Sequence, residues 1–255
     1  MSIAFISDLH LEPVQSDRLS AFVDFLAEAP EKYDSLYIIG DLFEYWVGDD
    51  DPHPINELIQ NKIKDAHGQG LSIFFIHGNR DFLLGSQFEK NTGLRIIDDM
   101  TVIKDSGISL MIAHGDSFCI DDVEYQALKK SLRSEEWKKD FLQKPIAERI
   151  AFADDLRAKS AESSSNKAEN IMDVNQSYVA EVIEKHKIDF LIHGHTHRPA
   201  IHKLDNGSSR VVLGSWEDKG WVAEYNEGNI KVLYKYTVLL CFLIKIIKIP
   251  FPIKS

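Results

Sequence analysis

Five short apolar runs in this chain all stop at the same kind of residue. SIAFIS runs into Asp8-Leu9-His10, SLYII into Gly40-Asp41, and LSIFFI into Gly78-Asn79-Arg80-Asp81. ISLMIA ends near His114-Gly115-Asp116, and DFLI runs into Gly194-His195-Thr196-His197. Runs this short and this continuously apolar are strands covered on both faces. Helix-period stretches separate them: residues 18–29, with Leu19, Phe22, Val23 and Leu26 on one face, and residues 54–67. The pattern predicts an α/β layered fold, in which functional groups collect where parallel strands end. Toward the C-terminus, HRPAIHKL and SSRVVLGSW flank a DNG turn, and GWVAEYN and NIKVLYKY flank Glu227-Gly228, so two hairpins are expected there.

The residues at those strand ends are metal ligands by type. Asp8, His10, Asp41, Asn79, His114, His195 and His197 are seven donors, too many for one tetrahedral ion. They suit two divalent ions sharing a carboxylate, for which Asp41 is the natural bridge, with Asp81 and Asp116 as support. Two ions about 3.5–4 Å apart clamp a phosphoryl oxygen and activate water near neutral pH. Mixed imidazole, carboxylate and amide donors favour Mn, Fe or Zn over Mg or Ca. Within HGHTH, alternation in extended backbone predicts His195 and His197 side by side, reaching one point. His193 is expected to face packed structure. Any one of these motifs could be an ordinary turn or cap; five at successive strand ends are a site.

Composition narrows the function further. The chain has 255 residues, 44% of them hydrophobic, enough for one domain with an insertion. A net charge of −11 argues against a general nucleic-acid binder. Cys119 and Cys241 are the only cysteines, so no disulfide framework is expected and a reducing compartment fits. The N-terminus has no secretory pattern. Residues 1–117 and 188–236 read as the core, and 118–187, rich in Lys, Glu, Ala and Ser, as a helical insertion over the strand ends. In it, Tyr125, Leu128, Leu132, Trp137 and Phe141 supply apolar surface. The apolar, lysine-bearing stretch 237–255 is too short and interrupted to span a bilayer comfortably. It is either a membrane-surface anchor or a terminal strand with a dispensable extension.

The series DLH, GD, GNRD, HGD, GHTH resembles the calcineurin-like metallophosphoesterases. The longer strings GDLFEYWVGDDDP, FIHGNRDFLLG, IMDVNQ, LIHGHTHRPA and RVVLGSW resemble the branch that cleaves the pyrophosphate of UDP-2,3-diacylglucosamine in bacterial lipid A synthesis. The likeness runs from residue 1 to about 225 and does not extend to the terminal stretch, which favours the dispensable-extension reading. It implies a two-sheet β-sandwich flanked by helices, with a helical cap, and two divalent ions, Mn2+ first among the candidates. One ion would be held by Asp8, His10, Asp41 and His197, the other by Asp41, Asn79, His114 and His195. Asp41, Asn79, Arg80, His114 and His195 would serve catalysis. Asn79, Arg80, Asp122, Ser160, Ser164, Lys167 and His195 would contact substrate; Ser164 departs from the branch, which usually has Asn there. The planar fork of Arg80 suits phosphate oxygens, the alternative being a salt bridge to Asp81. The implied partners are a lipid-linked nucleotide sugar and the membrane surface, with a peripheral place on the cytoplasmic face of the bacterial inner membrane. Two other readings stay open: a soluble phosphodiesterase or dinucleoside polyphosphate hydrolase of the same family, and a non-catalytic scaffold that has kept the fold.

Overall fold

In a computed structural model of the chain, residues 1–166, 173–217 and 219–237 are described, with backbone alone over 161–166 and 235–237. In chain order the elements begin β1 (Ser2–Ile6), α1 (Asp17–Lys32), β2 (Ser35–Ile39), α2 (Pro54–Gly68), β3 (Ser72–Ile76), α3 (Ser86–Thr92) and β4 (Arg95–Ile96). Next come β5 (Thr101–Asp105), β6 (Ile108–Ala113), a 3-10 turn over Asp116–Phe118, α4 (Val123–Leu132), α5 (Glu135–Leu142), α6 (Ile146–Asn166) and α7 (Gln176–His186). The chain closes with β7 (Phe190–His193), β8 (Ala200–Lys203), β9 (Ser209–Val212), β10 (Lys219–Asn226) and β11 (Asn229–Thr237).

The strands form two sheets, of order β11-β10-β1-β2-β3-β4 and β5-β6-β7-β9-β8. Parallel pairing joins β1 to β2, β2 to β3 and β3 to β4 in the first, and β6 to β7 and β7 to β9 in the second. Alternate residues of each strand feed different cores. Ile3, Phe5, Tyr37 and Ile39 face Leu110, Ile112, Ile192 and Val211 between the sheets. Their neighbours Ala4, Ile6, Leu36 and Ile38 pack on Phe22 and Phe25 of α1 and on Ile59 and Ile63 of α2. On the far side, Met111, Ala113 and Leu191 pack against Val179, Val182 and Ile183 of α7. The strand-borne expectation of layers on both faces holds, but one of the layers is a second sheet. A sheet excludes water from a strand face as well as a helix does, so the apolar run alone does not say which lies beyond. The sandwich that the family likeness implied is the arrangement found.

Both C-terminal hairpins form: β8 pairs antiparallel with β9, and β10 with β11. The second turns through Glu227 and Gly228, at φ 47° and 80°, the doubly left-handed turn whose twist matches its strands. α7, at the end of the stretch read as an insertion, lies on the second sheet. Only α4, α5 and α6 stand over the strand ends.

Candidate metal centre

All seven donor residues lie in the turns just after β1, β2, β3, β6 or β7, and the sandwich brings the two sheets' strand ends together. Five of them, Asp8, His10, Asp41, His195 and His197, hold left-handed backbone, with φ of 54°, 49°, 53°, 66° and 55°. Non-glycine residues avoid that region, so the surroundings must hold them there. Asp8 N donates to Gly40 O (3.1 Å) and His10 N to Asp41 O (2.9 Å), clamping one strained turn to the other. Arg18 of α1 donates from one nitrogen to Leu9 O (3.1 Å) and His10 O (2.9 Å). Asp81, fully buried, accepts from Gly78 N (2.9 Å) and Leu42 N (2.8 Å) and so fixes the turn that carries Asp41. Two glycines are required by close approach: a Cβ on Gly78 would lie 2.1 Å from Asp41 Oδ1, and one on Gly194 2.2 Å from Asp8 Oδ2.

The donors form two adjoining groups. In one, His197 Nε2 lies 3.3 Å from Asp8 Oδ1 and 3.3 Å from His10 Nε2. In the other, Asn79 Oδ1 lies 3.0 Å from His114 Nε2 and 3.0 Å from His195 Nδ1. Asp41 Oδ2 stands between them, 3.9 Å from His10 Nε2 and 3.7 Å from His114 Nε2. Asp8 also reaches the second group, because a carboxylate oxygen of it, one of Asp41 and a nitrogen of His114 lie within 4.8 Å of one another. The idea that His195 and His197 converge on one point through strand alternation is wrong. β7 ends at His193, both residues beyond it are left-handed, and the turn sends them to different groups. His193 is fully buried, with Nδ1 2.9 Å from Gly194 O and Nε2 3.2 Å from Arg210, and packs as expected.

Ring orientation prepares the imidazoles for cations. His114 Nδ1 donates to Ile39 O (3.0 Å), which turns Nε2 toward Asn79 and Asp41. His10 Nδ1 stands 2.9 Å from Glu44 Oε2, again turning Nε2 inward. Electrostatics agree. Burial disfavours charge on His114, but Asp41, Asp116 and Asp8 outweigh it and push the imidazole up to about 9. Burial, with Asp41 adding repulsion, pushes Asp81 up to about 7. Burial and the His114 charge push His195 down to about 4. A buried cluster of carboxylates that raises its neighbours' proton affinity is a cluster calling for positive charge. With imidazoles that a cation can deprotonate and an amide oxygen facing the same space, this donor set fits divalent cations.

Arg80 carries the expected guanidinium, but its neighbour is Glu44, with NH1 3.8 Å from Oε1, and the alternative pairing with Asp81 does not form. Arg80 N also donates to Asp41 Oδ1 (2.9 Å). From these residues a cleft runs under the cap; Tyr125, Leu128, Leu132, Trp137, Phe141 and Phe152 line it. Ser160 is on its wall. Asp122 caps α4, accepting from Tyr125 N at 3.1 Å. Lys167 and the side chain of Ser164 lie outside what is described. Glu44, which orients His10 and accepts from Arg157 Nε (2.8 Å), went unseen in the sequence, as did the ring of Tyr125 stacked 6.2 Å from that of His195. Glu44 lies within the GDLFEYWVGDDDP string and Tyr125 on the apolar stripe of the insertion, but nothing local says that either meets a histidine of the cluster.

The profile of the calcineurin-like phosphoesterases matches residues 1–199. Proteins named UDP-2,3-diacylglucosamine hydrolase from Escherichia coli O7:K1 and Escherichia fergusonii are each 40% identical over 237 residues, 92% of this chain and 99% of theirs. The crystal structure of a dimetal phosphatase from Danio rerio superposes with a TM-score of 0.53 over 92% of this chain and 95% of that one, at 10% identity, a likeness of fold alone. Near-complete alignment at this identity, on a sandwich whose strand ends gather these donors, places the chain in the calcineurin-like phosphoesterase family.

Proposed function

We propose that this protein hydrolyses the pyrophosphate of UDP-2,3-diacylglucosamine, water attacking the α-phosphorus to release UMP and 2,3-diacylglucosamine 1-phosphate. The observation that carries the reading is adjacency: Asn79 and Arg80, at the donor cluster, are also walls of an apolar cleft. A lipid-linked nucleotide sugar has that division, a charged phosphate bridge beside acyl chains. The relatives of matching length bear the name of this activity.

Two divalent ions, Mn2+ foremost, supply Lewis-acid charge and acidify water when bound. Asp8, His10, Asp41 and His197 would hold one, and Asp41, Asn79, His114 and His195 the other. Asp41 is fixed for bridging, since Arg80 N holds Oδ1 and leaves Oδ2 toward both groups. Arg80 offers its planar fork to phosphoryl oxygens as charge builds there. His195, with Asn79 against its Nδ1, stands beside the reacting phosphate. Asp122, Ser160, Ser164 and Lys167 remain assigned to the substrate; the place of Ser160 in the cleft supports its share. The cap is α4 to α6, and the core is the rest of the sandwich with α7.

No helix among the described residues is long and apolar enough to cross a membrane. We place the protein peripherally on the cytoplasmic face of the inner membrane, where such a substrate resides. Exposed Val123, Leu128, Leu142 and Phe152 on the cap support that placement. Hydrolysis in heavy-oxygen water tests the chemistry: the label is expected in UMP, and label in the lipid phosphate would overturn the attack at the α-phosphorus. Parallel assays on soluble dinucleotides should show little turnover; a preference for them would overturn the substrate.

A further inference from the structure

Beside the donor cluster lies a second pocket, walled by Thr196 and Arg198 after β7, His202 of β8, Arg210 of β9 and Asp173. Arg210 is 5% exposed, and its NH1 meets only the neutral ring of His193, at 3.2 Å. Its Nε and the Thr196 hydroxyl are buried without a hydrogen-bond partner. No carboxylate among the described residues pairs with Arg210. Asp173, the only acid among the described residues of this wall, holds Arg198 NH1 at 2.9 Å. A buried guanidinium without a close ion pair is costly, and burial draws its proton affinity down against the pull of the Asp173 charge. Among the described residues of this wall two arginines face one acid, in a chain of net charge −11. Such a pocket is shaped for an anion.

Its position says which anion. Thr196 stands between His195 and His197, so a group hydrogen-bonded to its hydroxyl adjoins the donor cluster. The apolar cleft reaches the same cluster through Asn79 and Arg80 and shares no lining residue with this pocket. A substrate with a lipid half and a nucleotide half joined by pyrophosphate needs two ways out from phosphorus, one apolar and one polar. We propose, resting on the substrate reading above, that this pocket receives the nucleotide half, Arg210 and Thr196 donating to the 5′-monophosphate and Arg198 flanking it.

The test is binding of UMP, without turnover, to the full-length Mn-loaded protein by calorimetry, with metal content checked in each variant. Arg210→Met should weaken UMP about tenfold or more, as loss of one charge-assisted hydrogen bond does. Arg210→Lys should restore part of the loss. Inhibition by 2,3-diacylglucosamine 1-phosphate should stay within about twofold, because that product occupies the other cavity. Arg198→Gln, half exposed in the wild type, serves if Arg210→Met fails to fold, and should weaken UMP severalfold. Unchanged UMP affinity in the folded variants, or equal weakening of both products, overturns the proposal. Inorganic phosphate binding as tightly as UMP reduces the pocket to a phosphate site and overturns the nucleotide assignment. Should the protein fail to cleave UDP-2,3-diacylglucosamine while UMP binding still depends on Arg210, the substrate reading falls and the nucleotide pocket stands.

Discussion

At the scale of single residues, the centre is held together against local preference. Five proposed ligands carry left-handed backbone, and each such residue costs roughly 1–2 kcal/mol unless its surroundings hold it. Glycine escapes that cost and alanine does not. His197→Gly should therefore be about 1 kcal/mol more stable than His197→Ala in metal-free protein, read as denaturant midpoints with chelator present. Equal midpoints would show that no strain is stored at His197. The ligands should also fail differently. Asp41→Ala removes the carboxylate between the two groups and should abolish activity at any Mn concentration. His10→Ala and His195→Ala each take one donor from one group, so high Mn should recover part of the rate by mass action. Near-normal turnover by Asp41→Ala would end the bridging assignment. Which residues gather in the cluster was readable, because Asp, Asn and His stand after β1, β2, β3, β6 and β7. The sign of φ was not, since the clamps on Asp8 and His10 come from Gly40, Asp41 and Arg18, far from them in sequence.

Among the elements, the cap depends most on polar latches. Tyr125, Leu128, Leu132 and Leu156 of α4 and α6 line the cleft, and the apolar packing between these helices centres on Trp137, Phe141 and Phe152. Asp116, fully buried, takes Lys129 Nζ at 2.9 Å, Arg133 NH2 at 3.3 Å and the Tyr125 hydroxyl at 2.7 Å, tying α4 to the end of β6. Arg149 of α6, 2% exposed, donates to Val47 O at 2.6 Å and pairs with Asp50. Asp116→Asn leaves two cations on a neutral amide and should cost on the order of 3 kcal/mol. The expected readout is a thermal midpoint several degrees lower, with faster proteolysis between 123 and 166. A cap as resistant as the wild type would mean that apolar contacts alone hold it down. The helical period of this region was plain in the sequence, yet its destination was not. Tyr125, Leu128 and Leu132 make a stripe that looks the same whether it meets another helix or an open cleft, and only the tertiary placement of α7 separates it from the cap.

For the molecule as a whole, the sandwich concentrates carboxylates that the metal-free protein must balance with protons. The continuous apolar runs of β1 and β2 showed that both faces were buried, but whether a helix or a sheet lay beyond depended on pairings such as β6 with β7, which no local pattern reveals. What the second sheet adds is His114, His195 and His197, set against Asp8 and Asp41 of the first. His114 is raised from 6.5 to about 9, so its stabilising charge is fully present below pH 6.5 and is lost as pH rises through about 9. Asp81, raised from 3.8 to about 7, acts in the same direction over a lower range. Asp8 and Asp116 are held below the ordinary carboxylate range and His195 is drawn down to about 4; these groups change little above pH 6.5. Chelated protein should therefore lose thermal stability steadily from pH 6.5 to 9, while Mn-loaded protein, its cations in place of protons, should hold a flatter profile. The same exchange predicts proton release. Titrating Mn into stripped protein at pH 8, in buffers of different ionisation enthalpy, should release close to one proton from His114 in addition to any from water. Parallel stability profiles with and without metal, together with no release, would show that the carboxylates are not balanced through His114, and the electrostatic case for divalent cations at this centre would fall.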